Sequence, residues 1–170
     1  MIEIIPAILP KNYEDMKDKI ALVRGHAELV QIDFCDGIFV PSRTWPVSTG
    51  GGDDYYFQRI INEQEGMPFW EDLDFEVDLM VDEPERVLAD WVAVGVSSAI
   101  IHFRSTHSLE ACRAAVGDSV QLGLALRIGD DVESAAAEIA HCDYVQVMGV
   151  ARPGTQGKEP FDERSIELVR

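Results

Sequence analysis

The chain has 170 residues, and its balance of 46% hydrophobic and 26% charged residues excludes disordered and fibrous proteins. Asp and Glu number 31 against 14 Lys and Arg, which gives a formal charge of −17. Because such a surface repels a polyanion, nucleic acid is not an expected partner, and an anionic substrate must be held by local groups rather than by the net charge.

Six short apolar runs, rich in β-branched residues, predict strands. Helical patterns separate these runs, and the alternation is typical of βα units around a buried parallel sheet. The predicted strands cover residues 2–9, 29–34, 75–81, 99–103, 120–126 and 144–150.

The helices between these strands have recognisable ends. The residues that suit a helix start are Asn12, Pro84, Ser108 and Asp162. The glycines that suit a helix end are Gly25, Gly95 and Gly117. Two further helices are predicted over residues 55–63 and 132–139.

Residues 42–54 break this rhythm. They contain Pro46 and a run of three glycines over residues 50–52, which together predict a long mobile loop. Two interpretations stay open for this loop: a lid over a site, or an insertion without a function.

Alternating βα units allow two architectures, an open doubly wound sheet and a closed barrel of eight strands. The turn after the first strand reads ILPKN and lacks the GxGxxG pattern of dinucleotide-binding sheets. The pattern GxxxxGK(S/T) is also absent from the sequence, so a P-loop for nucleotide phosphates is not expected.

The cysteines indicate a reducing compartment. Cys35, Cys112 and Cys142 form no CxxC pair and each lies in an apolar run, which predicts reduced thiols in a cytoplasmic protein. The amino terminus has no basic leader, and no apolar stretch approaches the ~18 residues of a membrane span. Neither export nor membrane insertion is therefore expected.

One segment carries a family signature. Residues 31–41 read QIDFCDGIFVP and resemble the HxDxMDGxFVP signature of ribulose-phosphate 3-epimerases. Shorter matches occur in a consistent order along the chain: PAIL in the first strand, FEVDLM followed by PE, IH in the fourth strand, Met148 in the sixth, and PGTQG, which is similar to the family's PGFGGQ loop. The resemblance spans nearly the whole chain.

The resemblance implies a (β/α)8 barrel of the TIM type and an isomerase of pentose phosphate metabolism. The family interconverts ribulose 5-phosphate and xylulose 5-phosphate by moving a proton at the carbon next to the carbonyl. Two aspartates serve as base and acid, and a divalent metal, held by two histidines and the same aspartates, polarises the carbonyl oxygen. Asp33 matches the first catalytic aspartate, and the implied partner is a small sugar phosphate.

The predicted metal site departs from the family pattern. Gln31 stands where the family has its first histidine, and Asp78 stands at the second. A site made of Asp33, Asp78 and Gln31 offers only oxygen ligands, which favours Mg²⁺ or Mn²⁺ over Zn²⁺. The alternative is that no metal binds and that Gln31 and Asp78 hydrogen-bond each other across adjacent strands.

Four further residues are predicted to contact the substrate. His102 matches a histidine of the family's fourth strand, although a buried histidine bonded to a backbone carbonyl would show the same pattern. Met148 matches a methionine over the pocket, with core packing as the alternative. Gly154 and Gly157 belong to the loop after the sixth strand, where backbone N–H groups can approach a phosphate or simply form a turn. Ala7 replaces a serine that contacts the substrate in the family.

The predicted strands amount to about six of the eight βα units of a closed barrel, which takes at least ~200 residues. The second catalytic aspartate of the family belongs to the seventh strand. We therefore expect a single, C-terminally truncated domain over residues 1–170 with an incomplete TIM-type barrel. Two functions stay open: an active epimerase, and a catalytically impaired sugar-phosphate-binding relative or non-functional fragment. The open strand edges also predict a homo-oligomer.

Overall fold

The computed structural model describes residues 2–47, 55–155, 157 and 159–169. Strands and helices alternate along this part of the chain. The strands are β1 (Ala7–Ile8), β2 (Leu29–Cys35), β3 (Asp74–Met80), β4 (Ser98–His102), β5 (Gln121–Leu126) and β6 (Tyr144–Val147). The α-helices are α1 (Tyr13–Val23), α2 (Tyr55–Ile61), α3 (Leu88–Val94), α4 (Leu109–Val116) and α5 (Val132–Glu138). The 3₁₀ helices are Pro84–Arg86, Ile139–His141 and Glu163–Val169.

The described strands form one parallel sheet in the order β1-β2-β3-β4-β5-β6. Each strand lies beside the next one along the chain, as in a TIM barrel, whereas a doubly wound sheet reverses its strand order at a switch point. β1 and β6 do not pair with each other, so the sheet is open. The predicted incomplete TIM-type fold of about six βα units is therefore confirmed.

The two edges of the sheet are the outer sides of β1 and β6. Among the described residues, each of these strands pairs with one neighbour only. A homo-oligomer that covers these edges stays a prediction. None of the described helices combines the length and the hydropathy that a membrane span requires.

Three helix ends are as predicted. The side chain of Asn12 accepts a hydrogen bond from the backbone N–H of Asp15 at 2.9 Å, and Ser108 accepts one from Ala111 at 3.1 Å. Gly95 ends α3 in the left-handed conformation, with a φ of 93°. These side-chain caps and this glycine satisfy backbone groups that a helix end leaves without partners.

The first strand is much shorter than predicted. β1 contains Ala7 and Ile8 only, because Pro6 lacks the N–H that a strand interior needs. Ile2 and Ile4 lie outside the sheet and are 93% and 83% exposed. The backbone oxygen of Pro6 still accepts a hydrogen bond from the N–H of Gln31 at 2.9 Å, which aligns the segment with β2.

Two predictions near the carboxyl end are also corrected. β6 ends at Val147 rather than at residue 150. The helix after Asp162 is a 3₁₀ helix over Glu163–Val169, and Oδ1 of Asp162 accepts a hydrogen bond from the N–H of Arg164 at 3.1 Å. A carboxylate therefore already occupies the start of this helix.

The predicted loop over residues 42–54 is described as far as residue 47, and its remainder lies outside the described residues. Thr44 anchors the described part to β2. Its Oγ1 donates a hydrogen bond to the oxygen of Asp33 and accepts one from the N–H of Cys35, both at 2.8 Å. Trp45, the next residue, is 1% exposed. This part of the loop is thus held against the sheet.

Strand alternation separates two faces of the sheet. On β2, Val30, Ile32 and Phe34 belong to the main hydrophobic core beneath the helices. Gln31 and Asp33 point to the opposite face, which a closed barrel would enclose. This face of the sheet carries the candidate site.

Aromatic rings pack the helices against the sheet. Trp91 of α3 and Trp45 meet edge to face, with ring centroids 5.9 Å apart and planes at 85°. Phe57 of α2 lies 5.2 Å from each of the two tryptophans. Buried rings in this geometry add to the stabilisation that comes from their burial alone, so the cluster joins α2 and α3 to the segment after β2.

Replacing Trp91 with alanine is expected to lower the free energy of unfolding by about 3–5 kcal/mol, because it leaves a cavity at a fully buried position. Trp70 is 63% exposed, so Trp70→Ala is the matched control, with an expected loss below about 1 kcal/mol. Urea unfolding followed by circular dichroism measures both values. Equal losses in the two variants would contradict the packing described here.

Candidate active site

A cavity of about 230 Å³ lies on the face of the sheet opposite the main hydrophobic core, toward the carboxyl ends of the strands. β1, β2, β3 and the segment from β6 onward contribute to its wall. The residues that matter for chemistry are Gln31, Asp33, Asp78, Gln146, Met148 and Gly154. Enzymes with this fold place their active sites at the same end of the strands, so the cavity is the candidate active site.

Asp33 is held by strand pairing and by one amide. β2 and β3 are in register so that Asp33 lies directly opposite Asp78. Nε2 of Gln31 donates a hydrogen bond to Oδ1 of Asp33 at 2.7 Å. The side chain of Asp33 is nearly buried, with 7% of the residue exposed. Two carboxyl groups therefore share one wall of the cavity.

Asp78 has different partners. Nε2 of His102 lies 3.0 Å from Oδ1 of Asp78, and Nε2 of Gln146 lies 3.4 Å from Oδ2. When Asp78 is ionised, its carboxylate only accepts hydrogen bonds, so Nε2 of the imidazole then donates the hydrogen in this pair. Nδ1 of His102 has no hydrogen-bond partner among the described residues, and the ring packs against Phe39 at a centroid distance of 5.2 Å. Both donors stabilise negative charge on Asp78.

Burial raises the pKa of Asp33 from its ordinary value of 3.8 to about 7. Loss of contact with water is the largest cause, and the negative charge of Asp78 adds to it. The hydrogen bond from Gln31 opposes the shift, and the charge of Glu76 adds slightly to it. Asp33 therefore takes up and releases a proton close to neutral pH.

Glu76 forms a second polar cluster on the same face of β3. Its Oε2 accepts hydrogen bonds from Oγ of Ser98 at 2.8 Å and from the hydroxyl of Tyr144 at 2.7 Å. Burial is the largest cause that raises the pKa of Tyr144, and the adjacent Glu76 adds to it, so the phenol keeps its proton. Sequence reasoning missed this cluster, although Glu76 precedes Asp78 by two residues and so shares its face.

The structure brings most of the predicted site residues together. Asp33, Asp78, Gln31, Met148 and Gly154 all line the cavity. His102 lies behind this wall and contacts Asp78 rather than a backbone carbonyl. Gly157 is not among the residues that line the cavity. The role of each residue toward a substrate stays a prediction.

One interpretation of Gln31 is wrong. The alternative to a metal site was a hydrogen bond between Gln31 and Asp78, whereas the amide of Gln31 binds Asp33 on its own strand. The partner of Asp78 on β6 is Gln146, which sequence reasoning missed. Its spacing of two residues from Met148 is the signal that would have placed it on the cavity face.

The donors as arranged do not complete a metal site. Gln31 turns an N–H group toward Asp33, and the two oxygens of Asp78 already accept hydrogen bonds. Among the described residues, no group of three or more His, Cys, Asp or Glu side chains is placed to hold a metal ion. Binding of Mg²⁺ or Mn²⁺ by Asp33, Asp78 and Gln31 stays a prediction, and it requires the amide of Gln31 to turn its oxygen into the cavity.

The pKa of Asp33 predicts how stability depends on pH. Because the pKa of Asp33 is raised from 3.8 to about 7 in the folded state, folding favours the protonated carboxyl. The stability that depends on this proton is complete below pH ~4 and is lost as the pH rises through about 7. Asp33→Asn removes the buried charge, and we expect the variant to exceed the wild type in stability at about pH 8 by a few kcal/mol in order of magnitude. The difference should vanish near pH 4.

Urea unfolding at a series of pH values measures this difference. Asp18→Asn, on the exposed side of α1, is the control for the loss of one negative charge. A constant difference between the Asp33→Asn variant and the wild type from pH 4 to pH 8 would contradict the assigned pKa of Asp33.

Comparisons with known proteins agree with the fold. The chain matches the ribulose-phosphate 3 epimerase family over residues 3–170. A ribulose-phosphate 3-epimerase of Aquifex aeolicus is 25% identical over 167 residues, which cover 97% of this chain and 68% of the relative. The protein of the same name from Treponema pallidum is 25% identical over 156 residues, covering 91% and 65%. That of Chlamydia muridarum is 30% identical over 145 residues, covering 85% and 57%.

The chain thus spans 57% to 68% of the length of these three relatives. The match of the family covers almost every residue of the chain, and the strand order agrees with the barrel that the resemblance implies. The chain belongs to the ribulose-phosphate 3-epimerase family.

Proposed function

We propose that this chain moves a proton at the carbon next to the carbonyl of a ketose phosphate, as in a ribulose-phosphate 3-epimerase, and that Asp33 is the group that takes and returns the proton. One observation carries the proposal. The carboxyl group of Asp33 lines a cavity at the carboxyl ends of the strands, and its pKa is raised to about 7. A general base works best when its pKa lies close to the working pH.

The step needs few groups. The ionised carboxylate of Asp33 removes the proton from C3, the electron pair of the C–H bond forms the C2–C3 double bond, and the carbonyl oxygen gains negative charge as an enediolate forms. Return of a proton from Asp33 reverses each change. Gln31 and Gln146 are the amide donors of the cavity wall, and they offer polar contacts to a substrate that displaces their present hydrogen bonds.

Epimerisation makes a further demand. Inversion at C3 requires that one group removes the proton from one face and another supplies a proton to the opposite face. Asp33 and Asp78 come from adjacent strands and belong to the same wall of the cavity. We therefore expect this chain to exchange the C3 proton with solvent faster than it inverts the carbon.

A second function is favoured by the departures from the family pattern. Gln31 and Asp78 replace two histidines that hold the metal in the family, and Gln31 uses its amide to bind Asp33. In this second function, the chain binds a sugar phosphate without turning it over. Binding of ribulose 5-phosphate without any exchange of its C3 proton would support this second function.

The first function predicts deuterium incorporation. Ribulose 5-phosphate incubated with the chain in D₂O should gain deuterium at C3, and the rate should rise with pH through about 7 as Asp33 ionises. Asp33→Asn should lower this rate by about 100-fold or more, because it removes the base. Proton NMR of the sugar measures the exchange, and Asp18→Asn is the control. An unchanged rate in the Asp33→Asn variant would contradict the assignment.

Cation binding gives a separate prediction. A divalent cation between Asp33 and Asp78 would displace the proton of Asp33, so its affinity should rise with pH through about 7. Calorimetry with MnCl₂ at pH values of about 6 and 8 measures this dependence. Asp78→Asn should weaken the binding, because it removes a ligand. Equal affinities for Mn²⁺ in the wild type and the Asp78→Asn variant would place the cation elsewhere.

A further inference from the structure

His102 is buried with a single side-chain hydrogen bond. Of the four histidines of the chain, it is the one that is fully shielded from solvent. Its Nε2 contacts Asp78, whereas its Nδ1 has no partner among the described residues. An imidazole bonded through both ring nitrogens is fixed in orientation, but a single hydrogen bond leaves the ring able to turn. Packing is therefore needed to hold His102 against Asp78.

Phe39 supplies this packing. The centroid of its ring lies 5.2 Å from that of His102, and the two planes make an angle of 50°. A tilted contact at this distance is favourable between aromatic rings. Phe39 itself is half-buried and belongs to the loop after β2. The phenyl ring thus excludes water from the side of the imidazole that it contacts.

Arg127 contacts the same phenyl ring. Its guanidinium carbon lies 5.0 Å from the ring centroid of Phe39, within the range of a cation–π interaction. Although acids outnumber bases 31 to 14, Arg127 makes no ion pair with a described carboxylate. Its backbone N–H donates a hydrogen bond to Oδ2 of Asp130 at 2.7 Å, which fixes the chain just after β5. We name the side chains of Arg127, Phe39 and His102 the aromatic stack.

The backbone of Phe39 is also fixed. Oδ1 of Asp36 accepts a hydrogen bond from the N–H of Phe39 at 3.0 Å. Oδ2 of Asp36 accepts one from the N–H of Asp82 at 2.8 Å, two residues beyond β3. Val40, the residue after Phe39, is 3% exposed. The loop after β2 is therefore tied to the end of β3, and the phenyl ring starts from a fixed backbone.

The aromatic stack reaches the cavity only through Asp78. Phe39, Arg127 and His102 are not among the residues that line the cavity, whereas Asp78 is. If His102 turned away, Gln146 at 3.4 Å would be the one described side-chain donor left to Asp78. The carboxyl group of Asp78 would then lose its shorter contact, and its position opposite Asp33 would be less fixed.

We propose that Phe39 is a positioning residue of the candidate active site: held by Arg127, it keeps the imidazole of His102 on Asp78 and keeps water from that pair. Phe39 does not line the cavity, so it acts through His102 rather than on a substrate. This inference rests on the proposed function for the reaction that the pair serves. The contacts themselves require no substrate, so they are tested separately.

Exchange of the imidazole hydrogen on Nε2 of His102 with water tests the proposal, and proton NMR at constant pH measures it. Phe39→Ala should speed this exchange about tenfold, because it removes an aromatic contact and admits water. Phe39→Tyr keeps the ring and should retain the slow exchange of the wild type. Arg127→Ala should speed exchange about two- to fivefold, as expected for the loss of a cation–π interaction.

A second arginine–phenylalanine pair provides the matched control. The guanidinium carbon of Arg24 lies 4.9 Å from the ring centroid of Phe69, which is also half-buried. Neither residue lines the cavity. Phe69→Ala removes the same type of contact without touching the aromatic stack, so the exchange of the imidazole hydrogen of His102 should not change.

The outcomes separate this inference from the proposed function. Unchanged exchange in both Phe39→Ala and Arg127→Ala, an equal increase in Phe69→Ala, or no protected imidazole hydrogen in the wild type would each overturn the role of Phe39. Arg127 is partly exposed, so its variant keeps the test open if Phe39→Ala does not fold. With ribulose 5-phosphate, Phe39→Ala should lower kcat for exchange at C3 and leave KM within about twofold. No exchange at C3 by the wild type, with a protected imidazole hydrogen, would count against the proposed function only.

Discussion

The close approach of two carboxyl groups across adjacent parallel strands is the constraint on which the site depends. The register of β2 and β3 places Asp33 opposite Asp78 and shields both from water. Asp78 receives hydrogen bonds from His102 and Gln146, which stabilise its charge. Asp33 accepts a hydrogen bond from Gln31, and its pKa is raised. The two acids on this wall thus have different hydrogen-bond partners, and burial beside the charge of Asp78 moves the pKa of Asp33 toward neutral pH.

Much of the fold could be predicted because its signals are local. Apolar runs located β2 to β5 to within a residue at either end, and the caps at Asn12 and Ser108 depend only on neighbouring backbone groups. The predicted first strand is too long because apolar residues also precede Pro6, and on that side of Pro6 the chain no longer pairs with β2. Apolar composition alone does not state where a strand loses its partner.

Most residues of the candidate site could be predicted from the sequence, whereas the hydrogen bonds between them could not. Strand ends and the family signature identified Asp33 and Asp78, whose adjacency follows from strand order. The pairing of Gln31 with Asp33 depends on rotamers, and the contact of Gln146 with Asp78 joins residues 68 positions apart. Such contacts depend on tertiary geometry that periodicity does not record.

The titration of Asp33 tests the central claim most directly. Carbon-13 NMR of the labelled Asp33 carboxyl, followed from about pH 3 to pH 9, gives its pKa without any substrate. Burial against Asp78 predicts a midpoint of about 7, and replacing Asp78 with asparagine should lower it, since the negative charge of Asp78 contributes to the shift. A midpoint near the ordinary value of 3.8, unmoved by that replacement, would contradict the account.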